Sequence, residues 1–96
     1  MDPQRLAEAS AAAMWAGDRA AQALAMRIEA VAPGPASLSM AVREDMVNGH
    51  GICHGGFIFT LADTAFAYAC NSQNYSAVAA GARIEFLAPG HLGDRL

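Results

Sequence analysis

Residues 48–71 read NGHGICHGGFIFTLADTAFAYACN, and no other stretch limits the fold so tightly. The pair Gly55-Gly56 follows a histidine and opens a segment that is apolar nearly all round. A helix of that kind must be covered on most of its sides. It carries one ionisable carboxylate, Asp63. Burying that group charged and unpaired would cost several kcal/mol, so a buried Asp63 needs a partner or a shifted pKa. A glycine-led helix start offers backbone N–H groups that attract negative charge. Polarising amides and a perturbed carboxylate together point towards acyl-transfer chemistry.

The 96 residues make one domain at most, and a chain of this size buries only roughly two thirds of its unfolded surface. Hydrophobic residues reach 54%, yet 23 positions are alanine, so bulky core material is thin. Charged residues are 16%, below the usual quarter, which leaves apolar surface for subunit interfaces. A net charge of −3 and six scattered arginines with no basic run argue against nucleic-acid binding. Cys53 and Cys70 sit at opposite ends of the proposed helix, about 25 Å apart at 1.5 Å per residue. No intrachain disulfide spans that gap, and reduced thiols suit a cytoplasmic protein. The N-terminus lacks a signal-peptide pattern, and the run 57–70, interrupted by Asp63, is too short to cross a bilayer.

Pro3–Ala16 is expected as a helix with Leu6, Ala9, Ala13 and Ala16 on one side. Gly17 stops it and Asp18 starts a short helix over Arg19–Ala25. Met26–Val31 and Ala36–Arg43 alternate as two strands, joined through Pro33-Gly34-Pro35 into a hairpin. In the first, Met26, Ile28 and Ala30 would face inward, and in the second Leu38, Met40 and Val42. Residues 45–54 form a loop, and Gly55–Asn71 the apolar helix. Ala77–Leu87 is expected as a long strand with Ala82, Ile84 and Phe86 on one face and Arg83 and Glu85 on the other. Asp94-Arg95-Leu96 opens another strand. So few strands cannot wrap the helix. The expectation is therefore a single domain over 1–96 whose sheet continues past Leu96.

Gly55 and Asp63 lie eight residues apart, about 12 Å along a helix axis. A base or nucleophile and an oxyanion donor must each come within about 3 Å of the reacting group. One helix cannot bring both to one carbonyl. If both act, Asp63 comes from a second subunit, and antiparallel packing of two such helices sets Gly55 of one beside Asp63 of the other.

The motif NGHGICHGGFIFTLADTAFAYACN, with ARIEFLAPGHLGD after it, resembles the hotdog-fold thioesterases of the phenylacetic-acid-degradation type. The resemblance covers nearly the whole chain from Met14 onward. It implies an α+β hotdog fold, a curved antiparallel sheet wrapped around the central apolar helix, with the C-terminal strands absent from this chain. It also implies hydrolysis of an aryl-acetyl-CoA thioester to acid and CoA by a homodimer or homotetramer. Under it, Asp63 is the catalytic carboxylate, attacking directly or activating water, and Gly55 supplies the N–H that polarises the carbonyl. Asn48 positions the attacking group or the thioester, His54 orders the loop and the carbonyl, and Thr64 hydrogen-bonds near the reacting centre. No metal or cofactor is implied, CoA being part of the substrate, and neither a membrane nor nucleic acid is a partner.

Each residue also has a plainer reading. Asp63 can be satisfied by Thr60 or Thr64, and the glycines can mark a close helix–strand contact. His54 can be an ordinary loop residue, Asn48-Gly49 a turn, and Thr64 structural. Cys53-His54 is a poor cysteine–base pair, because adjacent residues seldom reach hydrogen-bond geometry and no third group orients them. His50, Cys53 and His54 lack a fourth metal ligand. The dispersed methionines make no cofactor box. Two other classes remain: a hotdog domain that binds acyl-CoA or assembles without catalysis, and a dehydratase. The dehydratase would rely on a histidine and survive Asp63→Asn.

Overall fold

The computed structural model describes residues 1–96. Helix α1 spans Pro3–Gly17, with Pro3 in its first turn and the Asp2 carboxylate accepting the Arg5 N–H at 2.9 Å. Asp18 then caps α2, Arg19–Ala23, by accepting the Ala21 N–H at 3.1 Å. The second helix ends two residues before the expected Ala25, because Ala25 takes a left-handed φ of 53° and turns the chain into the sheet. The buried side of α1 is Ala7 and Ala11, not the stripe through Ala9 and Ala13. Small side chains there let the helix lie against strand β1, Arg27–Val31, where Gln4 donates to the Val31 carbonyl at 2.8 Å.

Strand β2, Ala36–Ser39, runs antiparallel to β1. The turn between them closes through the Ala32 N–H and the Pro35 carbonyl, with Gly34 at φ +101°, a conformation glycine adopts freely. The register slips between Ile28 and Ala30, a bulge that breaks the alternation. Ala30 is therefore exposed where strict alternation would bury it, and Glu29 turns to accept a 2.6 Å bond from the buried Ser39 hydroxyl. Met40 and Val42 are buried as expected. Beyond β2, residues 40–42 pair with the expected strand opening at 94–96. Met40 and Leu96 exchange bonds of 3.1 and 2.8 Å, and the Val42 N–H reaches the Asp94 carbonyl at 2.8 Å.

Helix α3, Gly55–Cys70, crosses β2. Its Leu61 joins Met26, Met40, Val42, Met46, Cys53 and Ala21 in one core, against which Trp15 and Phe57 pack. Tyr68, one turn pair further, is 1% exposed and donates to Asp18 at 3.2 Å, which ties α3 to the α1–α2 junction. Ser72 accepts the Gly34 N–H at 2.8 Å and so pins the hairpin turn to the end of α3.

The expected strand over 77–87 makes no ladder. No strand of the chain lies alongside it, and an extended segment without a neighbour leaves its backbone groups to water. Val78 and Leu87 are each 90% exposed. The sheet thus covers one side of α3 and leaves Phe66, on another, half exposed.

Candidate active site

The loop before α3 is organised by Asn48. Its side-chain oxygen accepts the N–H groups of His50 at 2.9 Å and Ile52 at 3.3 Å, while its own N–H donates to the Ile52 carbonyl. Such an Asx-type turn uses the amide oxygen and leaves the side-chain NH₂ to donate elsewhere. Val47 and Cys53 close the loop as an antiparallel bridge, and the His54 N–H reaches the Met46 carbonyl at 2.7 Å. The loop is thereby held rigidly at the helix start.

His54 is the N-terminal cap residue of α3, but its exposed side chain makes no capping bond. Its carbonyl accepts the Phe57 N–H at 3.0 Å. The N–H groups of Gly55 and Gly56 have no acceptor in the chain. They sit where a helix concentrates positive partial charge. Gly55 and Asn48 line one open cleft of about 470 Å³, with Ile52, Cys53, Ile58 and Phe86 among its walls. That volume suits a small organic group.

Asp63 lies elsewhere, in a smaller hollow of about 180 Å³ with Phe59, Phe66 and Arg83. It is exposed and takes no hydrogen bond or ion pair, so within one chain it is not the buried carboxylate the sequence suggests. The reason is topological: it stands on the side of α3 that the chain's own sheet leaves open. The Thr64 hydroxyl donates to the Thr60 carbonyl at 2.7 Å, and Thr60 to Gly56 at 2.8 Å, so both are tied to their own helix. The structure therefore brings Asn48 and Gly55 together, with His54 beside them in sequence, and keeps Asp63 and Thr64 apart from them.

Cys53 lines the cleft, is buried, and has a thiol pushed upward in pKa by that burial. A scarce thiolate is a poor nucleophile, which disfavours the cysteine-hydrolase reading. No three side chains of His, Cys, Asp or Glu converge as metal ligands. Neither cysteine is paired, and no helix is long and apolar enough to cross a membrane. Phe86 also lines the Gly55 cleft, which the sequence did not reveal, its alternation with Ala82 and Ile84 having placed it only on one face of the expected strand.

Residues 50–96 match the family model of the thioesterase superfamily. The acyl-coenzyme A thioesterase PaaI of Escherichia coli K12 is 52% identical over 87 residues, which are 91% of this chain and 62% of that protein. The chain thus spans less than two thirds of that relative's length. The solved E. coli PaaI protein, from the phenylacetic acid degradation operon, superposes with a TM-score of 0.96 at 48% identity, covering 98% of this chain and 68% of that one. A Streptococcus mutans protein solved with acetyl-CoA bound gives 0.70 at 30% identity, over 73% of this chain and 56% of its own. With nearly half the residues identical and two thirds of a solved relative covered at near-coincident backbone, this chain belongs to the thioesterase superfamily and carries its hotdog fold.

Proposed function

We propose that the protein hydrolyses an acyl-CoA thioester, an aryl-acetyl-CoA being the preferred substrate, to the free acid and CoA. The observation that carries this reading is the unpartnered Gly55 N–H at the start of α3, opening with Asn48 onto an apolar cleft. The identity to an E. coli protein named as an acyl-CoA thioesterase supports the reaction class, and that organism's phenylacetic acid degradation operon supports the aromatic acyl group.

In this reading the thioester carbonyl oxygen lies against the Gly55 N–H, where the helix start stabilises the negative charge that develops during attack. One such donor was worth about 3–4 kcal/mol where it was removed in another enzyme. Asn48 donates its free side-chain NH₂ to the thioester or the attacking group, and His54 holds the loop against the helix. Asp63 is the attacking carboxylate or the base that deprotonates a water. In the first case the C–S bond breaks to give an acyl–Asp63 anhydride that a water then hydrolyses, the thiolate taking its proton from solvent. In the second the water oxygen adds to the carbonyl, the C–S bond breaks, and the thiolate takes the proton held by Asp63. Thr64 fixes the Asp63 turn of the helix through its bond to Thr60.

Eight residues of helix put about 12 Å between Gly55 and Asp63, so the carboxylate that serves each cleft comes from a second copy of the chain. The lone Asp63 on an apolar, uncovered face fits that arrangement, as does the absence of an acid from the Gly55 cleft. We place the protein in the cytoplasm as a homodimer or a homotetramer built from such dimers, with no metal or cofactor. The test is steady-state loss of the thioester absorbance with phenylacetyl-CoA, using the full-length protein. Turnover that collapses in Asp63→Asn supports the reading. Tight binding of CoA esters without hydrolysis would show a binding domain instead, and turnover surviving in Asp63→Asn would remove Asp63 from the chemistry.

A further inference from the structure

The Phe86 ring packs directly on Gly55. A Cβ placed on Gly55 would stand 3.0 Å from the ring's Cζ and 3.3 and 3.4 Å from its two Cε atoms. All three are atoms of the Phe86 ring, and distances of 3.0–3.4 Å are tighter than most real Cβ contacts, so the ring would have to give by a few tenths of an ångström. A Cβ on neighbouring Gly56 would meet only the His54 Nδ1, at 3.9 Å, an ordinary contact. Any steric demand for glycine at the helix start therefore falls on position 55, and Phe86 is the neighbour that makes it. The ring is also 54% exposed and lines the cleft that Asn48 and Gly55 open onto. An apolar ring left half bare inside a cleft presents a flat surface to whatever enters.

We infer that Phe86 is the specificity-determining residue of this site, its ring seating the Gly55 backbone and forming the wall against which an aromatic acyl group stacks. This rests on the thioesterase reading above. Ring-on-ring packing adds about 0.5–1.5 kcal/mol beyond area burial, roughly 2- to 12-fold in a rate ratio. The ring acts on the donor through Gly55 and on the acyl group by contact. No other aromatic side chain lines this cleft.

The experiment uses the full-length protein with phenylacetyl-CoA and hexanoyl-CoA. Phe86→Leu should lower the aromatic-to-aliphatic ratio of kcat/KM by about 3- to 10-fold, chiefly through KM for the aromatic ester, and Phe86→Tyr should keep the ratio. Gly55→Ala should lose most turnover, and adding Phe86→Ala to it should restore about tenfold by making room. An unchanged ratio in Phe86→Leu, with both esters slowed alike, would overturn the acyl wall and leave a merely structural ring. A double variant no faster than Gly55→Ala would overturn the steric pairing. If the wild type hydrolyses no ester, the thioesterase reading fails and the acyl wall with it. The Gly55–Phe86 pairing is then decided separately by melting: Gly55→Ala should lower Tm less in a Phe86→Ala background than in wild type, and equal drops would overturn it.

Discussion

Asp18 serves two elements with one carboxylate: one oxygen caps α2 through the Ala21 N–H, and the other accepts the Tyr68 hydroxyl. Burial, then the Asp18 charge and hydrogen bond, hold the Tyr68 phenol far above its ordinary pKa. Tyr68→Phe removes one hydrogen bond at a buried site and should cost about 1–2 kcal/mol, seen as a Tm lowered by several degrees. The pH dependence has a definite sign. Above about pH 10 the unfolded chain releases the phenolic proton while the folded chain retains it. The unfolded state then binds fewer protons, and stability falls as pH rises. Denaturant midpoints should therefore fall beyond about pH 10 in wild type, with that component of the fall missing in Tyr68→Phe, which keeps any loss due to the buried Cys53 thiol. Equal alkaline losses in both proteins would show that Tyr68 is not responsible. At the site, Asp63→Asn should lower kcat by on the order of 10²–10⁴, the range for a lost acid or base, with little change in Tm because Asp63 makes no hydrogen bond or ion pair within its own chain and Asn keeps its shape.

The elements were legible in the sequence wherever a local rule decides them. The caps at Asp18, the turn around Gly34 and the span of α3 follow from residue chemistry within a few positions, and the structure places them as expected. What was not legible depended on a neighbour. In α1 six of the fifteen residues are alanine, spread around the helix, so composition gives little contrast between faces. Packing against β1 selects Ala7 and Ala11. The β1 bulge shifts the register past Glu29, whose side chain accepts from Ser39 across the hairpin, and strict alternation does not reveal it. For the face of α1 the difference is testable. Ala7→Leu enlarges a fully buried position and should cost about 1–3 kcal/mol, whereas Ala9→Leu, on the exposed side, should stay within about 0.5 kcal/mol. Thermal melts of the two variants read this directly, and similar losses in both would contradict the observed face.

Over the whole molecule, the uncovered side of α3 and the segment 77–87 belong to one description. A helix apolar nearly all round is covered by its own sheet on one side, and the extended segment beside it has no strand to pair with. The candidate site divides the same way. Asn48 and Gly55 meet in one cleft because loop and helix start are adjacent in sequence, while Asp63 sits two turns away on the open face. The motif made these residues readable; their separation within one chain followed only from helix geometry. In the proposed enzyme each site combines Gly55 of one copy with Asp63 of another. The most direct measurement mixes full-length Asp63→Asn with full-length Gly55→Pro, which lacks the N–H, under conditions where subunits exchange. Each protein alone should be inactive. A one-to-one mixture should recover about a quarter of wild-type activity, since half the dimers are mixed and each holds one intact site of two. Exchange confirmed with no recovery of phenylacetyl-CoA hydrolysis would contradict the shared site.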